Sequence, residues 1–159
     1  MTDEKPTQLS FDKLAQVVQN APLVSIDLIV KNNRDEILVG LRKNEPARDF
    51  WFVPGGRILK EERIAQAFER IACEELGLNL TYEDAGFVGV FEHFYPSNFT
   101  QKGSFGTHYV ALAYQITIAE TPLDLPKTQH SRYKWLNKES MHKESNVHPY
   151  TKAYFDCHH

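Results

Sequence analysis

The chain has 159 residues, long enough for one domain, residues 1–159, with a substantial core. Its net charge of −3 argues against a sequence-independent grip on nucleic acid, and no apolar run approaches the roughly 20 residues that span a bilayer. Two cysteines, Cys73 and Cys157, make no disulfide framework, and the opening Met1–Pro6 stretch lacks a signal-peptide pattern, so a cytoplasmic protein is expected.

Ser10 is placed to cap a short amphipathic helix whose Phe11, Leu14, Val17 and Val18 share a face, and Ala21-Pro22 ends it. Residues 24–31 and 36–42 read as a hairpin around the turn 32–35. A short strand over 50–54 delivers the chain into Gly55-Gly56. A longer helix follows. Residues 87–94 and 107–117 read as two strands joined by a loop, 123–132 as a flexible loop, 133–136 as a short strand, 140–142 as a helical turn and 149–157 as a closing helix with Tyr150, Ala153 and Tyr154 inward. Strands on both sides of one internal helix predict an α/β sandwich, a mixed sheet with helices on its faces.

The internal helix carries the chemistry. Ile64, Ala67, Phe68 and Ile71 recur at the spacing of an apolar face, and Glu75 falls on the same stripe. A carboxylate facing a core needs a partner, and a hard divalent cation, which takes oxygen ligands, would be one. The alternative is a helix ending near Leu76 with Glu75 turned to water. Arg70 and Glu74 have the spacing of an exposed ion pair. Glu62 lies near the helix start, where a carboxylate suits the macrodipole. Gly77 reads as the residue just past the helix end. Cys73 is expected to be buried or half-buried.

From Gly56 the residues Glu62, Arg70, Glu74, Glu75 and Gly77 fall in the order and spacing of the Nudix box, and the stretch resembles it. One position departs: the residue after the box arginine is Ile71, where that family usually has Glu. Pro22-Leu23-Val24-Ser25, Trp51–Arg57, Thr107-His108-Tyr109-Val110, Gln129-His130 with Tyr133–Leu136, and Ser145–His148 narrow the likeness. Together they resemble the GDP-mannose mannosyl hydrolase branch of the family, over about residues 9–156. That branch shares the apolar residue after the arginine and cleaves the sugar C1–O bond rather than a P–O bond.

The resemblance implies a Nudix-type α/β/α sandwich and a Mg²⁺-dependent enzyme, with Mn²⁺ as a substitute. The implied reaction is GDP-mannose, or GDP-glucose, to GDP and free sugar with inversion. Glu75 and the carbonyl of Gly56 are the implied metal ligands, with Glu74 as a further one. Arg42, Arg57 and Arg70 would hold the diphosphate as fork-shaped donors, and Tyr109 would add a hydrogen bond. His130 is the implied general base, since histidine titrates near neutrality. Asp27, a charge inside an apolar strand, is a candidate for a sugar hydroxyl, for supporting an arginine or for a structural ion pair, and His93 for contact with the sugar or for orienting a carboxylate. His108 and His148 match the branch without an assigned role. A homodimer is implied, with the aromatic residues of 50–52 as interface candidates. The rival readings are a pyrophosphohydrolase attacking phosphorus and a nucleotide-binding module without turnover.

Overall fold

A computed structural model of the chain describes residues 8–119 and 130–156, with the side chains of His130 and Ser131 excepted. The elements run α1 (Phe11–Asn20), β1 (Leu23–Lys31), β2 (Ile37–Arg42), β3 (Trp51–Phe52), β4 (Gly55–Arg57), α2 (Ile64–Leu76), a 3₁₀ turn (Tyr82–Asp84), β5 (Gly86–Tyr95), β6 (Thr107–Thr117), β7 (His130–Leu136), α3 (Lys138–Lys143) and α4 (Pro149–Asp156). The sheet is ordered β3-β2-β1-β6-β5, with β4 paired to β1 and β7 to β2. The β1–β6 pairing is parallel and the others are antiparallel, so the sheet is mixed as expected.

Alternation along β1 sorts its side chains onto two faces. Ile26, Leu28 and Val30 join Ala67, Phe68, Ile71 and Leu76 of α2 in one core. Ile29 joins Trp51, Phe52, Met141, Val147 and Tyr154 in the other, under α3 and α4. Helices thus cover both faces of the central strand, which explains why β1 reads as a nearly continuous apolar run. Asp27 interrupts that run on the α3–α4 face.

The sequence places most elements to within a residue or two. Ser10 caps α1, its hydroxyl accepting from the Lys13 N–H at 3.4 Å. Gly77 ends α2 in the left-handed region, φ 65°. Four expectations are corrected. Strand β7 starts at His130, inside the stretch read as loop, because residues 130–136 pair with β2 from Arg42 back to Ile37. Residues 120–129 lie outside the described part, as does Cys157. Ile64, at the first turn of α2, is exposed, since the core reaches the helix only from Ala67 onward. Cys73 is exposed as well. Of the aromatic residues proposed for an interface, Trp51 and Phe52 are buried within the chain itself, leaving Phe50 at the surface.

Candidate functional site

Strand β4 lays the Gly-Gly-Arg segment along β1, Asp27 opposite Gly55, Ile26 opposite Gly56 and Ser25 opposite Arg57. The approach at Gly55 is so close that a Cβ there would sit 2.6 Å from Asp27 Oδ1 and 2.7 Å from the Ile26 carbonyl oxygen, which only glycine avoids. A Cβ on Gly56 would meet Ile71 Cγ1 at 3.1 Å, so Gly56 lies directly over α2 one turn before Glu75. Glu75 is buried, as its place on the stripe predicts. Burial raises its carboxyl to about 7, with the Glu74 charge adding to the rise and Arg42 and Arg70 opposing it. A bound cation would oppose that rise and favour the ionised form. The oxygen donors of Glu75 and Gly56 suit a hard divalent ion of the magnesium type, which keeps most of its shell for water and substrate oxygens.

Arg70 is turned away from the role expected of it. Its Nε donates to Glu62 Oε2 at 2.7 Å, Nη1 to Glu74 Oε2 at 2.9 Å, and Nη2 to both Glu62 Oε1 at 3.0 Å and the Arg57 carbonyl at 2.8 Å. The expected Arg70–Glu74 pair is present, but the main partner is Glu62, whose side chain is only 2% exposed. Burial alone would raise the Glu62 carboxyl. The Arg70 hydrogen bonds and the Leu59 N–H, at 3.0 Å, outweigh it and hold the group below its ordinary value. Arg70 therefore clamps the loop before α2 to the helix and to the carbonyl of Arg57.

The pocket itself opens above β1, β4 and β6. Ser25, Asp27, Arg42, Gly56, Arg57, His93, Tyr95 and Tyr109 line it. Five of the predicted site residues thus converge with Gly56: Asp27, Arg42, Arg57, His93 and Tyr109. Asp27 Oδ2 accepts from the Tyr154 hydroxyl of α4, which also lies 3.4 Å from His93 Nε2. Burial raises the Asp27 carboxyl to about 6 against the Tyr154 hydrogen bond and the Arg42 charge. Burial lowers His93 to about 4, with His148 adding to the shift, so His93 is neutral at pH 7. Its ring is stacked on Tyr150, centroids 4.2 Å apart at 6°. His148 is likewise neutral, lowered to about 4 by burial and by Arg42. Its Nδ1 accepts the Tyr150 N–H at 3.1 Å, which helps fix the start of α4.

Arg42 and Arg57 are each anchored to a neighbouring group. Arg42 Nε donates to the Pro46 carbonyl at 2.9 Å, and Arg57 Nη2 to Gln8 Oε1 at 3.3 Å. Burial lowers the Arg57 pKa and raises that of Tyr109. The backbone of His130 stands opposite that of Arg42 in the β2–β7 pairing. Nothing in the sequence marks Tyr95, Ser25 or Tyr154 for the site. The helical spacing turns Tyr154 inward, but no local signal tells that its hydroxyl meets a carboxylate 127 residues away.

A profile of the NUDIX domain matches residues 21–156. The protein named low-salt glycan biosynthesis protein Agl8, from Haloferax volcanii, is 38% identical over 155 residues, which is 98% of this chain and 94% of that one. Among solved structures, the MutT NUDIX hydrolase from Burkholderia pseudomallei superposes with a TM-score of 0.69 at 22% identity, over 87% of this chain and 98% of that one. The NUDIX domain of Shewanella oneidensis NrtR complexed with ADP ribose gives 0.63 at 17%, over 89% and 96%. At these identities the two structures speak for the fold alone.

Proposed function

The chain belongs to the Nudix family, and on that premise we propose that it hydrolyses GDP-mannose, or GDP-glucose, to GDP and free sugar by attack of water at the anomeric carbon with inversion. The observation that carries this reading is Ile71. Where the box ordinarily offers another carboxylate, this chain has an apolar side chain, 1% exposed, packed under Gly56. The loop over α2 therefore has no carboxylate at that position to hold a second ion or activate water for attack at phosphorus. The polar floor of the pocket, Asp27 with His93 and Tyr95, suits sugar hydroxyls. A relative with a glycan-biosynthesis name fits a nucleotide-sugar substrate.

In this reading Arg42 and Arg57 hold the diphosphate, and Tyr109 donates to it. Asp27 and neutral His93 accept and donate hydrogen bonds at the sugar. His130 takes the proton from the attacking water on the face opposite the leaving group. Glu75, the Gly56 carbonyl and in part Glu74 would hold a magnesium ion, which would supply positive charge to the departing diphosphate. Arg70 keeps the loop in place for this arrangement.

Hydrolysis of GDP-mannose in ¹⁸O-water with magnesium tests the proposal. Label should enter mannose and be absent from GDP. Label in a phosphate, or GMP with mannose 1-phosphate as products, would establish the pyrophosphohydrolase reading instead. No turnover of any nucleoside diphosphate derivative would establish a binding module.

A further inference from the structure

A second cavity of about 300 Å³ lies beside the pocket, between α1, the segment 44–46 and Phe99. That volume is at the lower end of the range for small-molecule sites, about 300–1,000 Å³. Its walls are Leu14 and Val18 of α1, Leu23 at the start of β1, and the ring of Phe99, with Asn44 and Glu45 on the polar side. It shares Arg42, Pro46, Arg57 and Tyr109 with the inner pocket. The two arginines therefore stand between two compartments of opposite character.

We propose that this outer cavity seats the heteroaromatic base of the substrate, an assignment that rests on the reading of the substrate as a nucleoside diphosphate derivative. Such a molecule has two ends joined by a diphosphate. With the diphosphate on Arg42 and Arg57, one end enters each compartment. The inner compartment is floored by a carboxylate, hydroxyls and an imidazole, which match the many hydroxyls of a sugar. The outer one offers aliphatic walls and an aromatic ring, which match the flat apolar faces of a base.

The walls are braced as a seat of this kind requires. The Phe99 ring meets Phe11 edge-on, centroids 5.0 Å apart. Ser97 Oγ donates to Glu45 Oε2 at 2.7 Å, and Arg48 Nη2 to Gln101 Oε1 at 3.0 Å, tying the stretch 45–48, which includes the wall residue Glu45, to the stretch 97–101, which includes Phe99. Glu45 is engaged in that tether, so Asn44 supplies the amide that meets the polar edge of the base. Helix α1, which precedes the family's own signature in the chain, becomes a substrate-binding element.

The test is binding, which is independent of which bond is cleaved. Calorimetry with magnesium compares GDP and inorganic pyrophosphate as ligands of the whole protein, its Phe99→Ala variant and its Leu14→Trp variant, the latter narrowing the cavity. Losing a stacking partner lowers affinity for the base by roughly 5- to 100-fold. Phe99→Ala should lose that much for GDP, Leu14→Trp should weaken GDP as well, and pyrophosphate affinity should stay within about twofold. Retained pyrophosphate binding also certifies that a variant is folded, and if one variant fails to fold the other decides. Equal affinity of the unaltered protein for GDP and pyrophosphate, parallel loss of both ligands, or full GDP affinity in a folded variant would overturn the assignment. If the base seat holds while ¹⁸O enters a phosphate, only the choice of scissile bond is wrong.

Discussion

Tyr154, near the end of the chain, donates its hydroxyl hydrogen to Asp27 on the central strand and stands 3.4 Å from His93. One phenol from α4 thereby sets the direction of both groups expected to meet the sugar. Tyr154→Phe removes the donor and keeps the packing. A hydrogen bond to a charged group contributes about 1.5–3 kcal/mol, so kcat/KM for the nucleotide sugar should fall roughly 10- to 100-fold. Affinity for GDP, which lacks the sugar, should be unchanged. Equal losses for both ligands would reduce Tyr154 to a packing residue.

Asp27 is a strained acid. Its folded-state value of about 6 lies above its ordinary 3.8, so the folded chain binds this proton more tightly than the unfolded chain does. The stability linked to that proton is fully present below about 3.8 and is lost as pH rises through about 6. Asp27→Asn should therefore raise stability at pH 8 by about 2–3 kcal/mol, with no gain at pH 3.5, while turnover collapses. Urea melts at the two pH values check the sign.

The Arg70–Glu62 pair predicts a structural phenotype. Arg70→Met leaves the Glu62 carboxylate buried without its cation, a change that costs about 3 kcal/mol or more. Because Glu62 is held below its ordinary value, this loss should shrink as pH falls through the range where Glu62 takes up a proton. The double change Arg70→Met with Glu62→Leu should recover most of the stability. Thermal melts of the three variants decide between this clamp and a direct role at the diphosphate, which would lower GDP affinity without moving the melting point.

His130→Gln should lower kcat by roughly 10²- to 10⁴-fold and flatten the acidic limb of its pH profile. KM should change little, because the base meets the water. A wild-type rate in this variant would move the base to another group.

The parts of the fold legible in the sequence are those governed by local periodicity and local stops. Helix α2 was readable because Ala67, Phe68, Ile71 and Glu75 keep one face and Gly77 has the conformational freedom a helix end uses. The burial of Glu75 followed from the same angular count. What escaped depended on pairings distant in sequence. Strand β7 is extended by its partner β2, not by its own alternation, so its start at His130 was hidden. The resemblance implies Arg70 at the diphosphate, and local spacing shows its pair with Glu74 but not the one with Glu62, which approaches from the loop before the helix. Ile64 satisfied the spacing of the apolar face yet lies beyond the reach of the sheet.

The contact between Gly55 and Asp27 also governs how the chain can assemble. Sliding β4 by one residue along β1 would turn its alternate side chains to the opposite faces of the sheet. In one direction Arg57 would come to stand opposite Ile26, whose side chain belongs to the α2 core. In the other, Pro54, with no N–H to give and a ring where no Cβ fits, would stand against Asp27. A single alignment escapes both faults. The narrow gap that leaves Asp27 facing the pocket thus acts as a gauge during folding, admitting the Gly-Gly-Arg segment in one register and rejecting its near misses.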